Sequence, residues 1–216
     1  MTNIARRLTF NAALFLILAL CGGATRAQEM KERELKPAYD FSKIQMPVEF
    51  VNIKLNGASF EPGQKIQAGD DWLQGVSFTL KNVSDKPIAY VEVGLQFRHA
   101  ADPRDYTVYI LNYGLDQAHG RVDSAPQAAP RPIQPGETVE LVLSKDKYPG
   151  FQKILSGSGV SGSVETAAYF ADKIFFEGDP DTMWRGGKLL RRDANDLYKF
   201  NVIERYSLPS RQAAQD

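Results

Sequence analysis

One cysteine stands in 216 residues, at position 21. Past that point the chain can build no disulfide framework, no cysteine-ligated metal site and no thiol nucleophile. Histidine is almost as scarce. His99 and His119 are the only two. They do not share the paired spacing of a zinc helix, and no GxSxG, GxxxxGK[ST] or HExxH stretch occurs. Neither sign of charge is in excess, with 26 basic and 26 acidic side chains. A chain that coats nucleic acid usually shows a strong basic surplus, so nucleic-acid partners are not expected. There is also no apolar run of the roughly twenty residues that a membrane-crossing helix needs.

The longest apolar run is Ala12 to Leu20, "AALFLILAL", behind Arg6 and Arg7 and ahead of "ATRAQ". A basic start, a short apolar middle and small residues three and one positions before a cut are the parts of a secretory signal. Residues 1–27 therefore read as a signal peptide cleaved after Ala27, with a periplasmic or secreted destination. Cys21 sits where a lipoprotein cysteine would, but Leu20 occupies the position that calls for a small residue, so an ordinary signal is the expectation. Removing Arg6, Arg7 and Arg26 takes the basic count from 26 to 23 against 26 acids, a mature net charge of −3. The mature chain is expected to carry no membrane span and no cofactor.

Residues 28–47, "QEMKERELKPAYDFSKIQMP", are charged and interrupted by proline. They read as a solvated leader ahead of the fold, with a short helix over "EMKERELK" as the alternative. From Val48 the period becomes two. Val51, Ile53 and Leu55 alternate with Asn52 and Lys54 before an Asn56-Gly57 turn. Val76, Phe78 and Leu80 share a face, and after "NVSDKP" so do Ala89, Val91, Val93, Leu95 and Phe97, with Tyr90, Glu92, Gln96 and Arg98 opposite. These two strands read as a hairpin. "YTVYILNY" (106–113) is a further strand. Residues 115–132 form a long Ala/Pro-rich loop, of a length that is either functional or irregular. "IQPGETVELVLS" turns at Pro135-Gly136 and points Val139, Leu141 and Leu143 inward. "YPGFQKILSGSG" is a short helical crossing, and "SVETAAYFADKIFF" returns to strand.

The pattern predicts an all-β chain: an antiparallel sandwich of about 6–8 strands over residues 48–192, with the inserted loop and a C-terminal extension from 193 to 216. "VSFTLKNVSDKPIAYVEVGLQF" with "IQPGETVELVLS" resembles a module of exported bacterial proteins with immunoglobulin-like or fibronectin-like sandwiches. "KIFFEGDPDTMWRGG" is similar to a late segment of exported proteins of unknown function. That resemblance implies a fold and a compartment and carries no catalytic residue with it.

The most chemical stretch is "FFEGDPDTMWRGG" (175–187). Glu177, Asp179 and Asp181 crowd a turn. A calcium loop needs six to eight converging oxygens, whereas Asp, Gly and Pro are also what any tight turn uses; a turn is expected. Trp184 and Trp72 read as core plugs, with exposed platforms for a sugar ring as the alternative. Arg185, Lys188, Arg191 and Arg192 form a basic cluster that suits an anionic glycan or a partner's acidic patch, or else merely protects a solvated edge. Trp184, Arg185, Lys188, Arg191, Arg192 and Trp72 are thus the candidate contacts. No catalytic or metal residue is assigned. The expected function is non-catalytic binding of another protein or an envelope component, with carbohydrate binding through an exposed tryptophan as the alternative. Asn82-Val83-Ser84 fits a glycosylation sequon but lies where a turn already calls for Asn and Ser.

The exported form is expected to begin at Gln28. N-terminal sequencing checks this, and a lipid-modified Cys21 at the terminus would overturn it.

Overall fold

The computed structural model describes residues 29–99, 102, 104–115, 130–158, 160 and 164–207. The proposed signal peptide with Cys21 and Ala27, most of the 115–132 loop with His119, and the last nine residues lie outside the described residues. Twelve strands and one helix follow in the order β1 (Lys31–Pro37), β2 (Val48–Leu55), β3 (Ala58–Ser59), β4 (Lys65–Ala68), β5 (Ser77–Asn82), β6 (Ile88–Arg98), β7 (Tyr106–Tyr113), β8 (Thr138–Val142), α1 (Tyr148–Gly157), β9 (Thr166–Phe176), β10 (Asp179–Arg185), β11 (Lys188–Asp193) and β12 (Asp196–Arg205).

The strands form two sheets. The smaller runs β3-β2-β5-β8. The larger is built around β9, which pairs with β6 along one edge, while its other edge takes β1 over residues 166–169 and β10 over 174–176. β7 extends the sheet beyond β6, β4 beyond β1, and β11 and β12 beyond β10. All pairs are antiparallel except β1 with β9. One apolar core joins the two sheets, with Phe78, Leu80, Val91, Val93, Leu95 and Ile174 fully buried in it. The all-β, largely antiparallel expectation therefore holds in its coarse form, while the strand count exceeds the expected 6–8.

Much of the excess comes from the ends. Residues 28–47 are no tether: β1 is a strand in the large sheet, and Leu35 and Arg33 on it are fully buried. Its alternation of buried 33 and 35 with more exposed neighbours was masked by the charge on Arg33. The C-terminal segment is likewise part of the sheet, since β12 pairs with β11 from Lys188 to Asp193.

The 76–98 pair has most of the expected inward residues but not the expected connection; Ala89 is only half-buried, because the β6–β9 register slips between Ile88 and Tyr90, and Ile88 is fully buried instead. β5 belongs to the small sheet and β6 to the large one, so residues 83–87 form an arch between sheets rather than a hairpin turn. Alternation reports which side of a strand is buried, and that is the same for both connections. Asn82 sets the arch. Its amide donates to the carbonyls of Lys86 (2.8 Å) and Ile133 (2.9 Å), and its oxygen accepts from the Ser84 amide (3.0 Å) and hydroxyl (2.7 Å). With Asn82 only 1% exposed, the sequon is a buried structural device.

Three further side chains depart from simple alternation. Val51 is 45% exposed because the β2–β5 register slips between Phe50 and Asn52, leaving Val51 as the bulged residue. Tyr90 and Glu92, expected in water, are buried on the outer face of β6, where Tyr90 packs with Phe175 and Met183 and donates to Glu92 (2.6 Å). The turn at Asn56-Gly57 is as expected, with φ of 51° and 80°, the geometry of a type I′ hairpin.

Phe78→Ala and Leu95→Ala are each expected to lose about 2–5 kcal/mol, and Asn82→Ala about 2–4 kcal/mol as buried partners are left unpaired. Thr79→Ala should lose less than about 1 kcal/mol. Urea melts check the ranking, and equal losses at 78 and 79 would contradict the register.

Candidate functional site

Strand β9 ends at Phe176, and Glu177-Gly178 reverses the chain so that Asp179 pairs back with Phe176. The next pair is Phe175 with Met183, so Pro180, Asp181 and Thr182 bulge out of the ladder. Arg192, from β11, fastens this bulge. Its Nε donates to Asp181 Oδ1 (3.0 Å), a second nitrogen donates to the Pro180 carbonyl (3.2 Å), and its guanidinium lies 5.2 Å from the Phe200 ring centre. The acids Glu177, Asp179 and Asp181 do not converge, and no cluster of three or more His, Cys, Asp or Glu suited to a metal occurs among the described residues. The stretch is a turn and a bulge.

The register then carries Trp184 onto the core face. It is fully buried, and its indole N–H donates to the Gln45 carbonyl (3.0 Å). Trp72 is 2% exposed and donates to the Val164 carbonyl (2.9 Å). Neither ring can present a face to solvent, which corrects the assignment of both as contacts and removes the sugar platform on which the carbohydrate alternative rested. The core-plug reading given to both tryptophans therefore holds, for Trp184 behind an apolar strand and for Trp72 behind two aspartates.

Gly186-Gly187, at φ of 56° and 79°, makes the tight turn from β10 to β11, a backbone that side chains with a β-carbon rarely adopt. The turn sets Arg185 directly across from Lys188. On its other side Lys188 lies directly across from Arg205 of β12. Antiparallel partners project to the same face, so Arg185, Lys188 and Arg205 form a row across three adjacent strands, and all three are exposed. Arg185 is partly neutralised by Asp172 (3.0 Å), whereas no ion pair joins Lys188 to another described residue. The basic cluster read from the sequence is thereby divided. Arg185 and Lys188 stand together, Arg192 is engaged by the bulge, and Arg191, opposite Thr182, projects to the other face. Arg205 joins the row through pairing with a segment that looked like an extension, and its sequence neighbourhood gives no hint of it.

The remaining candidates are structural. His99 spans Asp105 (3.2 Å) and Thr107 (2.8 Å), closing the β6–β7 connection. Arg33 is wholly buried and donates to the carbonyls of Ala68 (3.3 Å) and Val164 (2.8 Å) and to Asp70 (2.6 Å). No helix of the described residues is long and apolar enough to cross a membrane. No protein family, no curated protein and no solved structure matches the chain.

Trp184→Ala should destabilise the fold by about 3–5 kcal/mol, while Asp179→Asn combined with Asp181→Asn should change stability by about 1–3 kcal/mol, the scale of one charge-assisted hydrogen bond. Calcium should leave the melting temperature unchanged, since a ligand held only by the folded state must raise it. A calcium-dependent rise abolished by the double Asn substitution would show a metal site at this bulge.

Proposed function

We propose that the protein is an exported, immunoglobulin-like sandwich protein that binds without catalysis, and that Arg185, Lys188 and Arg205 receive an acidic face of another protein or an envelope component. The observation that carries this reading is the register. Like charges placed directly across a sheet destabilise it by a few tenths of a kcal/mol up to about 1 kcal/mol per pair, and here two such contacts follow one another, Arg185 with Lys188 and Lys188 with Arg205. A fold indifferent to this face would separate them. An incoming carboxylate or other anion offsets the repulsion and gains charge-assisted hydrogen bonds from all three side chains. The net charge near zero makes this a local feature, suited to docking one acidic patch rather than to coating a polyanion. Export rests on the N-terminal pattern, and the immunoglobulin-like kinship on the strand-and-turn resemblance together with two packed, largely antiparallel sheets.

Lys188→Glu separates stability from binding. It turns both cross-strand contacts into opposite-charge pairs, so the fold should gain about 0.2–1 kcal/mol in urea melts. Crosslinking in the native host followed by mass spectrometry should recover a partner with the parent chain, in a salt-sensitive manner, and lose it with Lys188→Glu. Undiminished crosslinking by that variant would refute the proposed face.

A further inference from the structure

Behind α1 lies a cavity of about 310 Å³ that the proposed docking face does not use. It is walled by Trp72, Leu73, Tyr148, Phe151, Leu155 and Val160, each less than 9% exposed. The walls have no polar group to spare. Trp72 donates to Val164, the Tyr148 hydroxyl donates to the Asp70 carbonyl (3.3 Å), and no buried side-chain polar atom among the described residues lacks a partner. Burial also pushes the Tyr148 phenol up to about 12, so it stays neutral. Such an interior offers apolar contact and nothing else.

The cavity opens, and its rim is polar. Gln152, Lys153 and Ser156 on the exposed side of α1 line it, as does Asp70. The two rim charges differ in their engagement. The Asp70 carboxylate is held by the buried Arg33 at 2.6 Å, and Asp71, next to it, is also engaged. Lys153 is joined by an ion pair to no other described residue and stands as the cation at the mouth.

We propose that this cavity is a binding site for a single-chain anionic amphiphile, with the aliphatic chain inside and the carboxylate or similar head at Lys153. The volume sets the size. An apolar cavity of roughly 150 Å³ takes up benzene, so one about twice as large has room for a chain of roughly ten carbons. Pockets of this kind, apolar within and with few polar groups at the opening, begin near 300 Å³.

The two tryptophans allow a site-specific test, because Trp72 borders the cavity and Trp184 does not. The full mature chain, labelled with nitrogen-15, is titrated with decanoate, decanol and decylammonium below their aggregation concentrations, and the two indole N–H signals are followed. Trp184→Phe assigns them. Decanoate is expected to shift the Trp72 signal saturably and leave that of Trp184 in place, binding at least several-fold more tightly than decanol and more tightly still than decylammonium. Ser156→Phe, which crowds the mouth from an exposed position, should weaken decanoate binding about tenfold. Lys153→Glu, also at the surface, should reverse the order of decanoate and decylammonium. Thermal melts of both variants confirm folding. The proposal is overturned if no ligand shifts Trp72, if both indole signals move together as in general surfactant binding, or if decylammonium binds the parent chain as well as decanoate does.

Discussion

A buried guanidinium ties the N-terminal strand to the rest of the molecule, beside its backbone pairing with β4 and β9. Arg33 is fully buried, and a charge removed from water must be met by partners on every side or it destabilises the fold by several kcal/mol. Those partners are the carbonyl of Ala68 at the end of β4, the carbonyl of Val164 just before β9, and the carboxylate of Asp70. They lie in two stretches, residues 68–70 and Val164, each far from Arg33 in the sequence. The same Val164 carbonyl accepts from Trp72, and the backbone of Asp70 accepts from Tyr148. The constraint on one charge therefore fixes the approach of β1 to β9 and the walls of the cavity behind α1.

Strand β9 distributes that order through the large sheet. Its two ends pair with different neighbours on the same edge, β1 in parallel and β10 antiparallel. Between those stretches lies Lys173, whose φ of 27° is unusual for a residue with a β-carbon. There Lys173 reaches the buried carboxylate of Glu92 (3.3 Å). The fork turns one strand into the junction of three groups: β6 with β7, β1 with β4, and the C-terminal β10, β11 and β12. The first group builds the core with the small sheet. The third curls Met183, Leu190 and Phe200 around Tyr90 and Phe175 on the outer face, and carries the basic row at its rim. The proposed docking face belongs to the third group, whereas the proposed amphiphile site is lined by α1 and residues 70–73, outside it.

The sequence by itself determined the class of fold and most inward faces, because a period of two is a local property: once one side of a strand is apolar, that side is buried whatever the strand pairs with. It pointed to the Asn56-Gly57 turn for the same reason, since a tolerance of φ above zero belongs to the residue and not to its surroundings. It pointed to Trp184 as a plug and to the acids of 177–181 as turn residues. What only the tertiary structure decided is every choice among partners. Alternation in 76–98 was the same for a hairpin and for an arch, and buried bonds from Asn82 selected the arch. Charge in 28–47 resembled a solvated leader until distant acceptors made Arg33 an interior residue. The basic cluster of 185–192 was legible as composition, but its division between two faces, and the arrival of Arg205, follow from cross-strand register, which is set by hydrogen bonds between segments and written in neither of them alone.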